Sequence, residues 1–202
     1  DRSPSRGLGD VYKRQFLWLA LLAFVMTAGA QTERRIYTKA EQESAKKREV
    51  EKRLEAIQDS IRAVEAFSAL ERLDFVIEAN RLSFKRGENA FVTSNTNFVS
   101  LSDDQAIIQI APFFGGGPNG VGGITLEGKA SRIKLKTDKK GNVIFTMNVM
   151  GTGLSAKIDI FLPKNSYMAS VTVNPTFHSN RVTLYGDLLP SSKSNVFKGR
   201  AF

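Results

Sequence analysis

Downstream of Leu73 the chain alternates between apolar and polar positions. In LSAKIDIFL (154–162), Leu154, Ala156, Ile158, Ile160 and Leu162 fall on one face, and Val143, Phe145, Met147 and Val149 do the same in the preceding run. A period of two is the mark of a half-buried strand. The pattern predicts eight strands, over 74–85, 90–101, 104–111, 123–137, 142–150, 154–162, 167–174 and 181–189. The connections carry turn chemistry: RGEN (86–89), DKKGN (138–142), GTG (151–153) and PKNS (163–166) supply Gly and Asn where positive φ is wanted. One strand changes phase. Ile124, Leu126 and Ala130 are apolar at even positions, whereas Ile133 and Leu135 are apolar at odd ones. A one-residue slip sends side chains to the other face, so a bulge near Ser131–Arg132 is expected. Consecutive antiparallel strands with short turns have two edges to manage, and closure into an up-and-down barrel removes both. A two-sheet sandwich is the alternative.

Upstream the period is helical. Residues 38–73 lack Gly and Pro, and Val50, Leu54, Ile57, Ile61 and Val64 recur at steps of 4, 3, 4 and 3. That places them in one stripe of a helix. Phe67, Leu70 and Leu73 continue it at steps of three. Thr38 suits the N-cap, with Glu41 at the capping-box position. Two uses of the stripe stay open. It packs on its own domain through residues 57–73, or it engages a partner protein as a short coiled coil.

Composition changes the picture at the ends. Residues 1–15, DRSPSRGLGDVYKRQ, resemble a translated library adapter and are set aside. FLWLALLAFVM (16–26) is an apolar run too short for a bilayer-spanning helix, which needs about 20 residues. Ala28 and Ala30 follow it in A-x-A spacing, so 16–30 reads as an export signal with Gln31 beginning the mature chain. No transmembrane span is then expected once the signal is removed. The chain has no cysteine, so neither a lipid anchor nor a disulfide framework is expected. The reading is an exported protein, periplasmic or envelope-associated, with a charged helical extension over 31–66 and one domain over 67–202. The net charge of +9 on 202 residues is spread along the sequence. It suits a solvated surface, and without an aromatic-studded basic cluster it does not suggest nucleic acid.

Several separated motifs carry a resemblance to a known family. RLSFKRGENAFVTSNTNFVSLSDDQAIIQIA, GGGPNGVGGITLEGKAS, LKTDKKGNV and FHSNRVTLYGDLLPSSKSNVFKGR occur in order between about Phe67 and Phe202. Together they resemble the bacterial domain-of-unknown-function family 4251 (DUF4251). The resemblance implies an exported envelope protein with a lipocalin-like barrel, and it carries no catalytic residue. The expected fold is therefore mainly β: an antiparallel eight-stranded lipocalin-like β-barrel preceded by a long N-terminal α-helix.

The candidate chemistry is thin. FFGGGPNGVGG (113–123) is glycine-rich, but no Lys-Ser/Thr pair ends it, and ITLEG reads as a strand where a phosphate-binding loop needs a helix. It is either a lid at a barrel mouth or a plain connection. His178 is the sole histidine, which does not suit zinc, and no G-x-S-x-G elbow accompanies it. Asp103–Asp104 suits a turn better than a calcium site. The acids Glu78, Glu88, Glu127, Asp159 and Asp187 are far apart in sequence. Neither a catalytic residue, a cofactor nor a metal is expected. Asparagines in SNTNF (94–98) and FHSN (177–180) either cap turns or line a polar pocket. Phe98, Phe113, Phe114, Phe145 and Tyr185 are the candidates for a pocket or its mouth, because ligand pockets pair apolar walls with few polar groups. The leading expectation is a non-enzymatic barrel for a small apolar or amphipathic ligand. The alternative is an interaction module whose helix 38–73 engages a partner protein.

Overall fold

The computed structural model describes residues 38–112, 118–152, 155–176 and 180–201. The expected export signal, the start of the glycine-rich loop and His178 lie outside them. The chain divides into two compact units, Asp1–Glu49 and Val50–Phe202. In the first, helix α1 (Lys39–Glu71) begins on the expected capping box. The Thr38 amide donates to Glu41 Oε2 at 2.8 Å, and the Glu41 amide donates to Thr38 Oγ1 at 3.3 Å. Reciprocal bonds of this kind satisfy two of the amides a helix start leaves unpaired. In the second unit α1 runs on to Glu71 and stops where Leu73 takes a left-handed φ of 57°. Among the described residues no helix is long and apolar enough to cross a membrane.

Nine strands follow: β1 (Asp74–Phe84), β2 (Asn89–Phe91), β3 (Phe98–Ser102), β4 (Gln105–Ile110), β5 (Ile124–Thr137), β6 (Val143–Gly151), β7 (Ser155–Leu162), β8 (Met168–Pro175) and β9 (Val182–Pro190). Then comes a short 3-10 turn, Ser191–Lys193. Each strand from β3 to β8 pairs antiparallel with the next, and β1 pairs with both β3 and β9. The sheet is thus a closed eight-stranded antiparallel barrel, and the sandwich alternative falls. Closure leaves β1 and β9 no open edge between them, which removes the usual route to edge-to-edge aggregation there.

The expected strand over 90–101 is two pieces. β2 pairs with residues 81–83 of β1 and β3 with residues 74–78; Val92 and Asn97 each keep one backbone bond to β1, and a turn over 93–96 leaves the ladder between them. Asn97 bridges from the end of this turn to the other neighbour, the residue after β4. Its side-chain oxygen accepts from the Ala111 amide at 2.7 Å, and its side-chain nitrogen donates to the Ala111 carbonyl at 3.2 Å. A side chain here makes the rung that a backbone would make in a continuous strand. The excursion also spans a register shift in β1 between Ala79 and Arg81. Across that bulge β9 approaches closely: a Cβ at Gly186 would run into the Glu78 carbonyl. The second bulge stands where the phase change predicts it, with a register shift between Ser131 and Lys134 and a φ of 52° at Arg132.

The inward positions form one core. Phe75, Ile77, Leu82, Phe145, Met147, Ile158, Ile160 and Leu184 are each almost wholly excluded from solvent. Alternation continues across the sheet: Ala156, Ile158, Ile160 and Leu162 of β7 are buried while Lys157 and Phe161 are exposed. Ala66, Ala69 and Leu70 of α1 join the same cluster, so the end of the helix is part of the barrel's core.

Candidate functional site

The three described pocket candidates, Phe98, Phe145 and Tyr185, do not share a face of the sheet. Phe145 lies inside, edge-on to Phe75 with ring centroids 5.4 Å apart, a favourable aromatic geometry. Phe98 is also buried, but Val99 and Leu101 take the inward positions of β3, so Phe98 faces outward beside Glu78 and Gln109. Tyr185 likewise faces outward, next to inward Leu184, and the Arg81 guanidinium stacks 4.1 Å from its ring centroid. Phe113 and Phe114 lie outside the described residues. Within the barrel, Phe75, Phe145, Met147 and the other inward side chains form one continuous buried cluster.

The outer face that buries Phe98 holds a polar network absent from the sequence-based candidates. The Gln109 amide nitrogen donates to the carbonyls of Thr96 and Phe197 at 2.9 and 2.8 Å. Its oxygen accepts from the Thr125 hydroxyl at 2.8 Å and from the Gly199 amide at 2.7 Å. All four of its hydrogen-bonding positions are therefore used, as a fully buried amide requires. Asn119 organises the end of the glycine-rich loop in the same way. Its side-chain oxygen accepts from the amides of Val121 and Gly123, and its nitrogen donates to the Thr125 hydroxyl. Strand β5 follows directly, so the helix a phosphate-binding loop requires is not there. Residues 194–200 cross this face as a strap, with Phe197 bonded to Asn95 and Arg200 to Asn119 through the backbone. In sequence, a strand-borne Gln reads as an ordinary outward residue, and nothing marks it as the floor of a strap.

Of the dispersed acids, the fold unites one pair. Glu78 and Asp187 are cross-strand partners on β1 and β9. Burial raises the Asp187 carboxyl above its ordinary value; Arg62 opposes the shift and Glu78 adds to it. Around them, Arg62 donates to the Tyr167 hydroxyl at 3.5 Å, Lys193 bonds Glu65 at 2.6 Å, and the Ser194 hydroxyl donates to Glu78 at 2.7 Å. These bonds tie α1 to the β7–β8 connection and to the 3-10 turn, and the strap to β1. The remaining acids have other places: Glu127 pairs with Lys198, Asp159 with Lys157, and Glu88 sits in the β1–β2 turn. Among the described residues no group of three or more His, Asp or Glu could hold a metal ion.

The most unusual surface is on α1. From Val50 on, the helix has two apolar faces. Ala63, Ala66, Ala69 and Leu70 are buried. Val50, Leu54, Ile57, Ile61 and Val64 are all more than half exposed, between 53% and 69%. At about 100° per residue, the exposed stripe is centred roughly opposite the buried one. The expected packing through 57–73 holds over its later part: Ala63, Ala66, Ala69 and Leu70 are buried and Phe67 and Leu73 pack against the core, whereas Ile57, Ile61 and Val64 stay exposed. Small side chains allow the helix backbone close to the sheet, which bulky β-branched ones would hold off. Beside this contact is a groove of about 530 Å³ between α1 and the β5–β6 and β7–β8 turns. Its walls include Val64, Phe67, Val143, Leu162 and Pro163, with Lys164 among the polar residues that line it.

Comparison with known proteins agrees with this architecture. A family model described as a domain of unknown function, DUF4251, matches residues 57–188. The crystal structure of a DUF4251 family protein from Bacteroides eggerthii DSM 20697 is 44% identical. The match covers 73% of this chain and 99% of that one, with a TM-score of 0.62. No curated protein matches.

Proposed function

From the premise that this chain belongs to the DUF4251 family, we propose that it is an exported, non-enzymatic module of the bacterial envelope whose working surface is α1, with the barrel as its scaffold. One observation carries the reading: five large apolar side chains at regular helical spacing stand exposed on a helix whose opposite face is anchored in the barrel core. Contiguous exposed apolar surface on a soluble domain marks an interaction site. Two further features support a holding role over a transforming one. The barrel interior is occupied by side chains, and Glu65, Glu127, Asp104 and Asp159 are each engaged by a lysine. Export is supported by the apolar run 16–26 and the Ala28–Ala30 spacing.

The test is a photo-crosslinking residue placed at Ile57 in the producing cell, with Phe145 as the buried control. Covalent adducts to protein at Ile57 but not at Phe145 are expected. If position 57 gives none, α1 is not the working surface.

The groove of about 530 Å³ favours a second reading, a small amphipathic molecule held against α1 with its acidic end toward Lys164. Native mass spectrometry followed by organic extraction tests it. A bound molecule retained by the native chain and lost in Val143→Asp is the expected result, and a bare chain counts against it.

A further inference from the structure

We infer that the exposed face of α1 is covered by further copies of this same chain, packed in parallel. The inference rests on the reading that α1 is the working surface and names what occupies it.

The spacing is the first argument. Val50, Leu54, Ile57, Ile61 and Val64 follow steps of 4, 3, 4 and 3, the a/d seam of a coiled coil, with Leu54 and Ile61 at a and Val50, Ile57 and Val64 at d. The second argument is clearance. The barrel holds the helix by the opposite side, so two or more helices can meet along the seam with every barrel turned outward. Charge gives the third argument, and it selects the direction. One flank of the seam carries Glu51, Gln58 and Glu65; the other carries Arg53 and Ser60. In a parallel arrangement each flank meets the opposite one, so Arg53 lies near Gln58 of a neighbouring copy and Ser60 near its Glu65. Between Val50 and Glu65 no like charges meet. In an antiparallel arrangement like flanks meet, and Glu51 faces Glu65 of the neighbour twice over, which is unfavourable. The residue types add a preference in number. Leu at a with Ile at d, followed by Ile at a, favours more than two strands.

A seam of little more than two heptads is marginal for a free peptide. Here the helix is already formed and held at its end by Ala66, Ala69 and Leu70 in the core, so association need not order it from coil.

The experiment is light scattering on the chain as the producing cell processes it, across a dilution series, beside Ile57→Glu/Ile61→Glu. Glutamate keeps helix propensity while placing charge in the seam. The expected result is a mass of two or more copies that falls to one copy in the double variant. The chain contains no cysteine, so Val50→Cys supplies a single thiol and a second, independent readout that leaves Ile57 and Ile61 intact. Parallel packing brings these thiols together, and mild oxidation should link the copies. Phe91→Cys, on an exposed residue of β2, should not link. A single-copy mass at every concentration overturns the inference, as does assembly unchanged by the double variant. Assembly in which Val50→Cys never links overturns the parallel arrangement. A single-copy mass together with an Ile57 photo-adduct to a different protein overturns self-pairing while sparing α1 as the working surface; no adduct at all removes both.

Discussion

The two sides of α1 are built from different residues for different neighbours. The side toward the barrel carries Ala63, Ala66 and Ala69, with Leu70 as its one large buried side chain. The side away from it carries Val50, Leu54, Ile57, Ile61 and Val64, each more than half exposed. By transfer free energy alone the second set belongs inside, since a fully buried Val, Leu or Ile stabilises by about 1.5–3 kcal/mol. The first set wins the inside place because the core beneath is already filled by Phe75, Phe145 and their neighbours, and a helix can close over a filled core only if its backbone comes near. Hydrophobicity selects which residues seek cover. Volume decides which of them the fold itself can cover.

Substitutions on the two sides should therefore separate cleanly. The largest effect is expected from Leu70→Ala, which empties a fully buried site and should cost about 2–5 kcal/mol, read as a lower urea midpoint with an unchanged slope. Next is Ala66→Leu, which asks the close-packed side to accept a larger residue. A loss of about 1–3 kcal/mol is expected, and a neutral result would mean that the contact is looser than its burial indicates. Ile57→Glu on the open side should move the barrel's own melting by no more than about 0.5 kcal/mol, as surface changes do, provided the measurement is made dilute enough that copies do not associate. Matching losses at positions 57 and 70 would dissolve the distinction between the sides.

The smallest effect concerns the flank of α1, where Arg62 faces Asp187. Burial raises the Asp187 carboxyl above 3.8 in the fold, so the folded state holds its proton to higher pH than the unfolded state does. Stability must then fall as pH rises from about that value through the raised one, and ionised Asp187 is a small burden at neutral pH. Asp187→Asn should raise Tm slightly at pH 7, with the gain shrinking as both chains are acidified toward pH 3. A gain that stays constant with pH would place the burden elsewhere than in the charge.

The strands were legible because two signals agree along them. Period-two alternation marks Val143–Val149 and Ala156–Leu162, and Gly or Asn stands at the turns between, with Gly87, Gly141 and Asn165 at positive φ. The bulge at Arg132 was legible as a phase error in that alternation. The turn at 93–96 was not, because it carries neither Gly nor Pro and alternation continues on both sides. The helix was legible as a helix, and so were Phe67, Leu70 and Leu73 at its inward end; Ala63, Ala66 and Ala69 were not, because alanine gives little hydrophobic contrast even where it is buried. A run of Ala at steps of three near the end of the helix was the available signal. The faces of the described pocket candidates were not legible because an aromatic on a strand does not reveal its face until the register is known: Phe145 points into the barrel and Phe98 out of it. The strap over Gln109 depends on contacts between residues far apart in sequence, which no local pattern encodes.

The pairing of β1 with β9 also imposes an order in time. β1 is the first strand to be made and β9 the last, yet each is the other's neighbour from Phe75–Pro190 to Phe84–Val182. Until β9 is available, the sheet from β1 to β8 is an open ribbon with two bare edges, and the strap has no finished wall to cross. Such long-range closure is slow and leaves intermediates open to mispairing. Kinetic risk in this molecule is thus concentrated in one late event, after which neither β1 nor β9 retains a bare edge at the seam they share.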